Sequence, residues 1–98
     1  MMAELPFQIE EIAQVCDKND VAMLGIFGSV ARGEANEQSD IDLLVRFSER
    51  KSLLALIRLE RELAQALGKE VDLQTEAGLS PYLRERILRD LKVIYGTR

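Results

Sequence analysis

Histidine is absent from the sequence, cysteine occurs once, proline twice, and aromatic residues make up 5% of the chain. Without histidine there is no imidazole base, no Ser-His-Asp triad and none of the common zinc sites. The single cysteine, Cys16, falls among helix-spaced apolar residues, where a thiol serves as a small buried hydrophobe, so no chemical role is assigned to it. No stretch approaches the ~20 apolar residues of a membrane span. The amino-terminal MMAELPFQIEEIAQV has neither a basic region ahead of an apolar run nor a small-residue cleavage site. No secretory leader is therefore expected, and the expected location is cytoplasmic. Positive charge is also in short supply. A net charge of −4 argues against long nucleic acid as the main partner, because phosphate-backbone binding depends on Lys and Arg releasing counterions. It leaves a small metal-bound nucleotide or a basic protein compatible.

What is present is an ordinary globular balance of 47% hydrophobic and 31% charged residues, with no internal repeat, low-complexity tract or Pro/Gly/Ser linker. A single domain over residues 1–98 is expected, near the small end of the usual range and with little core to spare. Ile9, Ile12, Ala13 and Cys16 fall at i, i+3, i+4 and i+7, which predicts a first helix ending near Lys18–Asp20. Val21 to Phe27 is a continuous apolar run stopped by Gly28, and Ile41 to Phe47 is rich in strand formers; both predict strands. Leu53, Leu56, Ile57, Leu63, Ala64 and Leu67 mark one face of a longer helix, with Gly68 where a left-handed cap would stand. Glu70 to Thr75 predicts a third strand. Ser80-Pro81 predicts the N-cap and first residue of a final helix with Leu83, Ile87, Leu88 and Leu91 on its buried face. Lys92 to Tyr95 predicts a short terminal strand or turn. The expected fold class is α/β of the α+β kind, a small mixed sheet flanked by helices.

The chemistry left to such a chain rests on carboxylates, hydroxyls, basic side chains and backbone amides. It concentrates in Gly28-Ser29-Val30-Ala31-Arg32-Gly33 and Ser39-Asp40-Ile41-Asp42-Leu43-Leu44-Val45. A glycine ending a buried strand lets backbone approach a ligand closely, and a serine opening the next helix adds a hydroxyl and free amides, a setting for phosphate. Asp40 and Asp42 are spaced to emerge on one face of a strand. Two carboxylates within ~4 Å repel by about 1 kcal/mol in water, and a divalent cation reverses the sign. Asp72, between Val71 and Leu73, repeats the anomaly in the third strand. Three strand carboxylates on one sheet face would make an oxygen-rich site suited to magnesium or manganese. Arg32 could meet a phosphate or pair with Glu34 or Glu37, and Ser39, with no histidine base to activate it, is read as orienting Asp40. Separately, a Gly-Ser pair is usually a helix start and an Asp-x-Asp pair a solvated turn; their order together with Asp72 points to a site.

These segments resemble the GS-x10-DxD signature of the polymerase-β-like nucleotidyltransferase superfamily. Over nearly the whole chain, the order G-S-x-A-R-G, S-D-I-D-L and V-D-L resembles the MNT family of minimal nucleotidyltransferases. The resemblance implies the nucleotidyltransferase fold. It implies that Gly28 and Ser29 contact the nucleotide phosphates, and Arg32 and Ser39 are counted beside them as candidate nucleotide-binding residues. It further implies that Asp40 and Asp42 ligate two Mg2+ ions and Asp72 completes the catalytic metal site, with ATP or another nucleoside triphosphate as substrate. MNT-type proteins act as antitoxins beside a HEPN-type toxin, adding AMP to a tyrosine and associating with it. The implied activity is thus transfer of a nucleotide, AMP by this likeness, to a protein hydroxyl. A module that silences its partner by masking it, and nucleotidyl transfer to RNA, are the alternatives; acidic balance and the lack of an aromatic platform disfavour the second. With so small a core, association with itself or with the toxin is expected to add stability.

Overall fold

The computed structural model describes residues 9–34 and 40–97. Helix α1 (Ile9–Lys18) leads into strand β1 (Val21–Phe27) and the single-turn helix α2 (Gly28–Ala31); β2 (Ile41–Phe47), α3 (Leu53–Leu67) and β3 (Val71–Thr75) follow. A 3-10 turn at Glu76–Gly78, helix α4 (Pro81–Asp90) and β4 (Lys92–Gly96) complete the chain. The four strands form one mixed sheet in the order β3-β2-β1-β4, with β1 antiparallel to both β2 and β4 and β2 parallel to β3. Parallel neighbours need a long crossover, and α3 supplies it. Among the described residues no helix is long and apolar enough to cross a membrane.

Local chemistry explains the boundaries. Ser52 caps α3 by accepting from the Ala55 amide at 3.2 Å, and Gly68 ends it in the left-handed region at φ 67°, its N–H donating to Ala64 O. Ser80 accepts from the Tyr82 amide and Pro81 occupies the first turn of α4, where a missing N–H costs nothing.

The core lies on the sheet face covered by α1 and α3. Ile12 and Cys16 meet Leu24 and Ile26 of β1, Ile41, Leu43 and Val45 of β2, Leu59 and Leu63 of α3, and Leu73 of β3. A bulge between Val21 and Met23 lets Val21 and Leu24 share this face despite their odd spacing. Alternation therefore sends Asp42 and Asp72 to the other face, since Leu43 and Leu73 point inward.

Two expected faces are corrected. On α3 the contact line runs through Leu56, Leu59, Leu63 and Leu67; Ile57 sits one residue off it and is 41% exposed, and Leu53, in the first turn, is 70% exposed. On α4 no residue is fully buried and Leu83 is 49% exposed, because this helix meets chiefly α2 and β1 at the rim. Its anchor is Leu91, just past its end, whose side chain fills the place a Cβ on Gly25 would take.

Candidate functional site

Sheet topology brings the acidic residues together. In the parallel register Asp42 stands directly opposite Asp72, and across the antiparallel register it faces Phe27, the last residue of β1. Immediately beyond Phe27 the chain turns at Gly28, whose φ of +75° belongs to the left-handed region. A Cβ there would overlap Asp42 Oδ2, so only glycine lets the backbone lie against that carboxylate. Ser29 follows, half-buried, in a helix whose first-turn amides receive no side-chain cap. Asp40 is exposed at the head of β2, where the Ile41 amide donates to Glu70 O at 3.0 Å and ties the starts of β2 and β3 together.

Electrostatics register the crowding. Burial, then the charges of Asp72 and Asp40, push the Asp42 carboxyl above its ordinary range, while Arg32 pulls in the opposite direction. Arg32, 40% exposed, is held by two carboxylates: Nε donates to Glu34 Oε1 at 3.2 Å and Nη1 to Asp90 Oδ2 at 3.3 Å. Asp72 Oδ1 accepts from Gln74 Nε2 at 3.0 Å. Ser39 and Glu37 lie outside the described residues.

The donors fit a hard divalent cation in kind: carboxylate oxygens, with the Asp42 carboxyl pushed upward by burial and then by like charge, beside a glycine cradle that a methyl group would fill. Among the described residues no group of three carboxylates is already drawn together tightly enough to hold an ion. Asp42 and Asp72 are presented side by side, with one oxygen of Asp72 turned to Gln74.

A groove of about 580 Å3 lies elsewhere, at the other end of β2 and β3, lined by Arg46, Arg50, Lys51, Thr75 and Arg84. Its cations are largely engaged, Lys51 with Asp20 and Glu49 and Arg84 with Glu76, and it brings none of the aspartates together.

Residues 9–94 match the family model for the nucleotidyltransferase domain. The chain belongs to that family. This nucleotidyltransferase is 50% identical over 80 residues to a Methanocaldococcus jannaschii relative provisionally named a protein adenylyltransferase, covering 82% of this chain and 86% of that one. Its fold is similar to a crystallised toxin-antitoxin with AMP-PNP, at TM-score 0.79 and 26% identity over 94% of this chain and 76% of the other. It is also similar to a structure of tri-AMPylated Shewanella oneidensis HEPN toxin with MNT antitoxin, at TM-score 0.69 and 25% identity over 91% of this chain and 70% of the other. The expected relationship to minimal nucleotidyltransferases therefore holds, as does the mixed-sheet fold. Asp90 and Gln74 were not anticipated. Gln74 shares a strand face with Asp72, a signal open to inspection, whereas Asp90 contacts Arg32 from 58 residues away.

Proposed function

We propose that this nucleotidyltransferase is the antitoxin of a HEPN-type toxin and transfers AMP from ATP to a tyrosine hydroxyl of that toxin in a magnesium-dependent reaction. The observation that carries the proposal is the side-by-side register of Asp42 and Asp72 against the backbone of Gly28. The likeness to an AMPylated toxin bound to its antitoxin supports the choice of acceptor.

In this scheme Gly28 and Ser29 receive the triphosphate through backbone amides and the serine hydroxyl, with Arg32 at the edge. The acceptor oxygen attacks the α-phosphorus in line, the bond from that phosphorus to the bridging oxygen breaks, and pyrophosphate leaves. Asp72, at the exposed end of the pair, takes the hydroxyl proton. Magnesium, held by Asp40, Asp42 and Asp72, would supply charge neutralisation on the triphosphate and a lowered hydroxyl pKa. Asp40 and Asp42 otherwise hold the site's shape and charge, and Phe27 and Gly28 bring the nucleotide-facing backbone to it.

The test is incubation of the chain with its partner toxin, magnesium and each labelled nucleoside triphosphate. Covalent label on a toxin tyrosine from ATP, lost in Asp42→Asn and Asp72→Asn variants that remain folded, is the expected result. Tight association with no label would instead identify a module that neutralises by masking. Full transfer by either variant would contradict the assignment of the aspartates.

A further inference from the structure

We infer that Asp90, the last residue of α4, is a positioning residue that holds the Arg32 guanidinium at the mouth of the aspartate site, so that its free edge meets the nucleotide's phosphates. The inference rests on the nucleotide-binding reading above and adds to it a residue that no sequence motif marks.

Two carboxylates grip Arg32, and they differ in kind. Glu34 is only two residues away in the same loop and moves with it. Asp90 belongs to another element, 58 residues on, and its Oδ2 lies 3.3 Å from Nη1 with both side chains partly withdrawn from solvent, at 40% and 28% exposure. The end of α4 is fixed in turn. Leu91 packs onto Gly25 in the centre of β1, in space no larger residue than glycine would leave, and β4 then pairs with β1 directly after it. Asp90 is therefore referenced to the same strand that leads into Gly28.

The placement of an acid there runs against local preference. The carboxyl end of a helix carries partial negative charge and favours a cation. Asp90 stands at that end nonetheless, and its contact with Arg32 gives it a local reason to do so. The guanidinium it holds sits at the right place, because the Arg32 backbone N–H donates to Gly28 O at 3.1 Å and Gly28 is the residue whose backbone lies against the Asp42 carboxylate. Arginine has a planar fork of five N–H donors. Among the described residues Nε is taken by Glu34 and Nη1 by Asp90, which leaves Nη2 for a phosphate oxygen.

The test is a double-mutant cycle on binding of a non-hydrolysable ATP analogue with magnesium, measured by calorimetry, beside steady-state kinetics. Asp90→Ala is expected to weaken analogue binding about tenfold and to raise KM for ATP similarly, with kcat within about twofold. Asp90→Asn, which keeps an acceptor oxygen, should recover part of the loss and provides the readout if the alanine variant fails to fold. Arg32→Ala should lose as much, and the double variant no more than Arg32→Ala alone. Losses that add would show that Asp90 acts independently of Arg32 and overturn the inference. So would unchanged or tighter binding by Asp90→Ala, which would make Asp90 a competitor of the phosphates. Wild-type chain that fails to bind the analogue would refute the nucleotide reading and this inference with it; failure at Asp90 alone leaves that reading standing.

Discussion

Burial, and then the neighbouring charges of Asp72 and Asp40, raise the Asp42 carboxyl above its ordinary value of 3.8. A carboxyl raised in the folded state binds its proton more tightly folded than unfolded. The stability it contributes is therefore complete below the unfolded pKa and is lost as pH rises through the folded one. At neutral pH the ionised side chain opposes folding. Asp42→Asn should melt a few degrees above wild type at pH 7 and show no advantage near pH 3, while transfer falls to background. Equal melting temperatures at both pH values would remove the electrostatic account. Gly28 carries the complementary prediction. Gly28→Ala combines a left-handed φ, costing ~1–2 kcal/mol for a residue with a Cβ, with overlap on Asp42 Oδ2. It should lower stability by at least that amount, read from denaturant midpoints, and reduce transfer at least tenfold. These residues were legible because carboxylates and a glycine interrupt apolar strand runs, where folding alone has no use for them. The Arg32–Asp90 pair was not legible, since nothing near residue 32 announces a partner from the end of α4.

Among the elements, β1, β2, α1, the end of α3 and the start of α4 were readable in advance because each boundary has a local cause: Gly28 after an apolar run, Ser80 as a cap, Gly68 in the left-handed region. The orientation of α3 was only half readable. Its sequence is apolar around more than one stripe, so spacing alone does not choose between Ile57 and Leu59; the position of α1 and β3 against it does. The choice has an energetic signature. Leu59, fully buried, should lose ~2–5 kcal/mol on truncation to alanine, and Leu53, 70% exposed, should change within about 0.5 kcal/mol. Urea unfolding of the two variants measures this directly, and equal losses would mean that the first turn of α3 is covered in solution. The exposed Leu53, Leu54 and Ile57 are then the natural place to look for such a cover.

The whole molecule depends on one topological fact that no local pattern encodes: β3 returns beside β2 in parallel, so that Asp72 pairs with Asp42. Site and core are two faces of the same central strand, with Leu43 and Val45 inward and Asp42 outward, so occupancy of one should be felt by the other. Cys16 offers a probe of that linkage. It is 0% exposed on the core-facing side of α1, and burial pushes its thiol up to about 12, so the reactive thiolate is scarce in the folded state. Alkylation near pH 8 in dilute urea should therefore proceed only through molecules that have opened the core. A ligand that binds only the folded chain reduces that population by the factor 1 + [L]/Kd. Magnesium and ATP at a hundredfold excess over Kd should slow labelling of Cys16 by about a hundredfold, and Asp42→Asn should show no such slowing. If ATP binds the wild-type chain yet leaves the labelling rate unchanged, α1 opens without disturbing β2, and core and site are separate cooperative units.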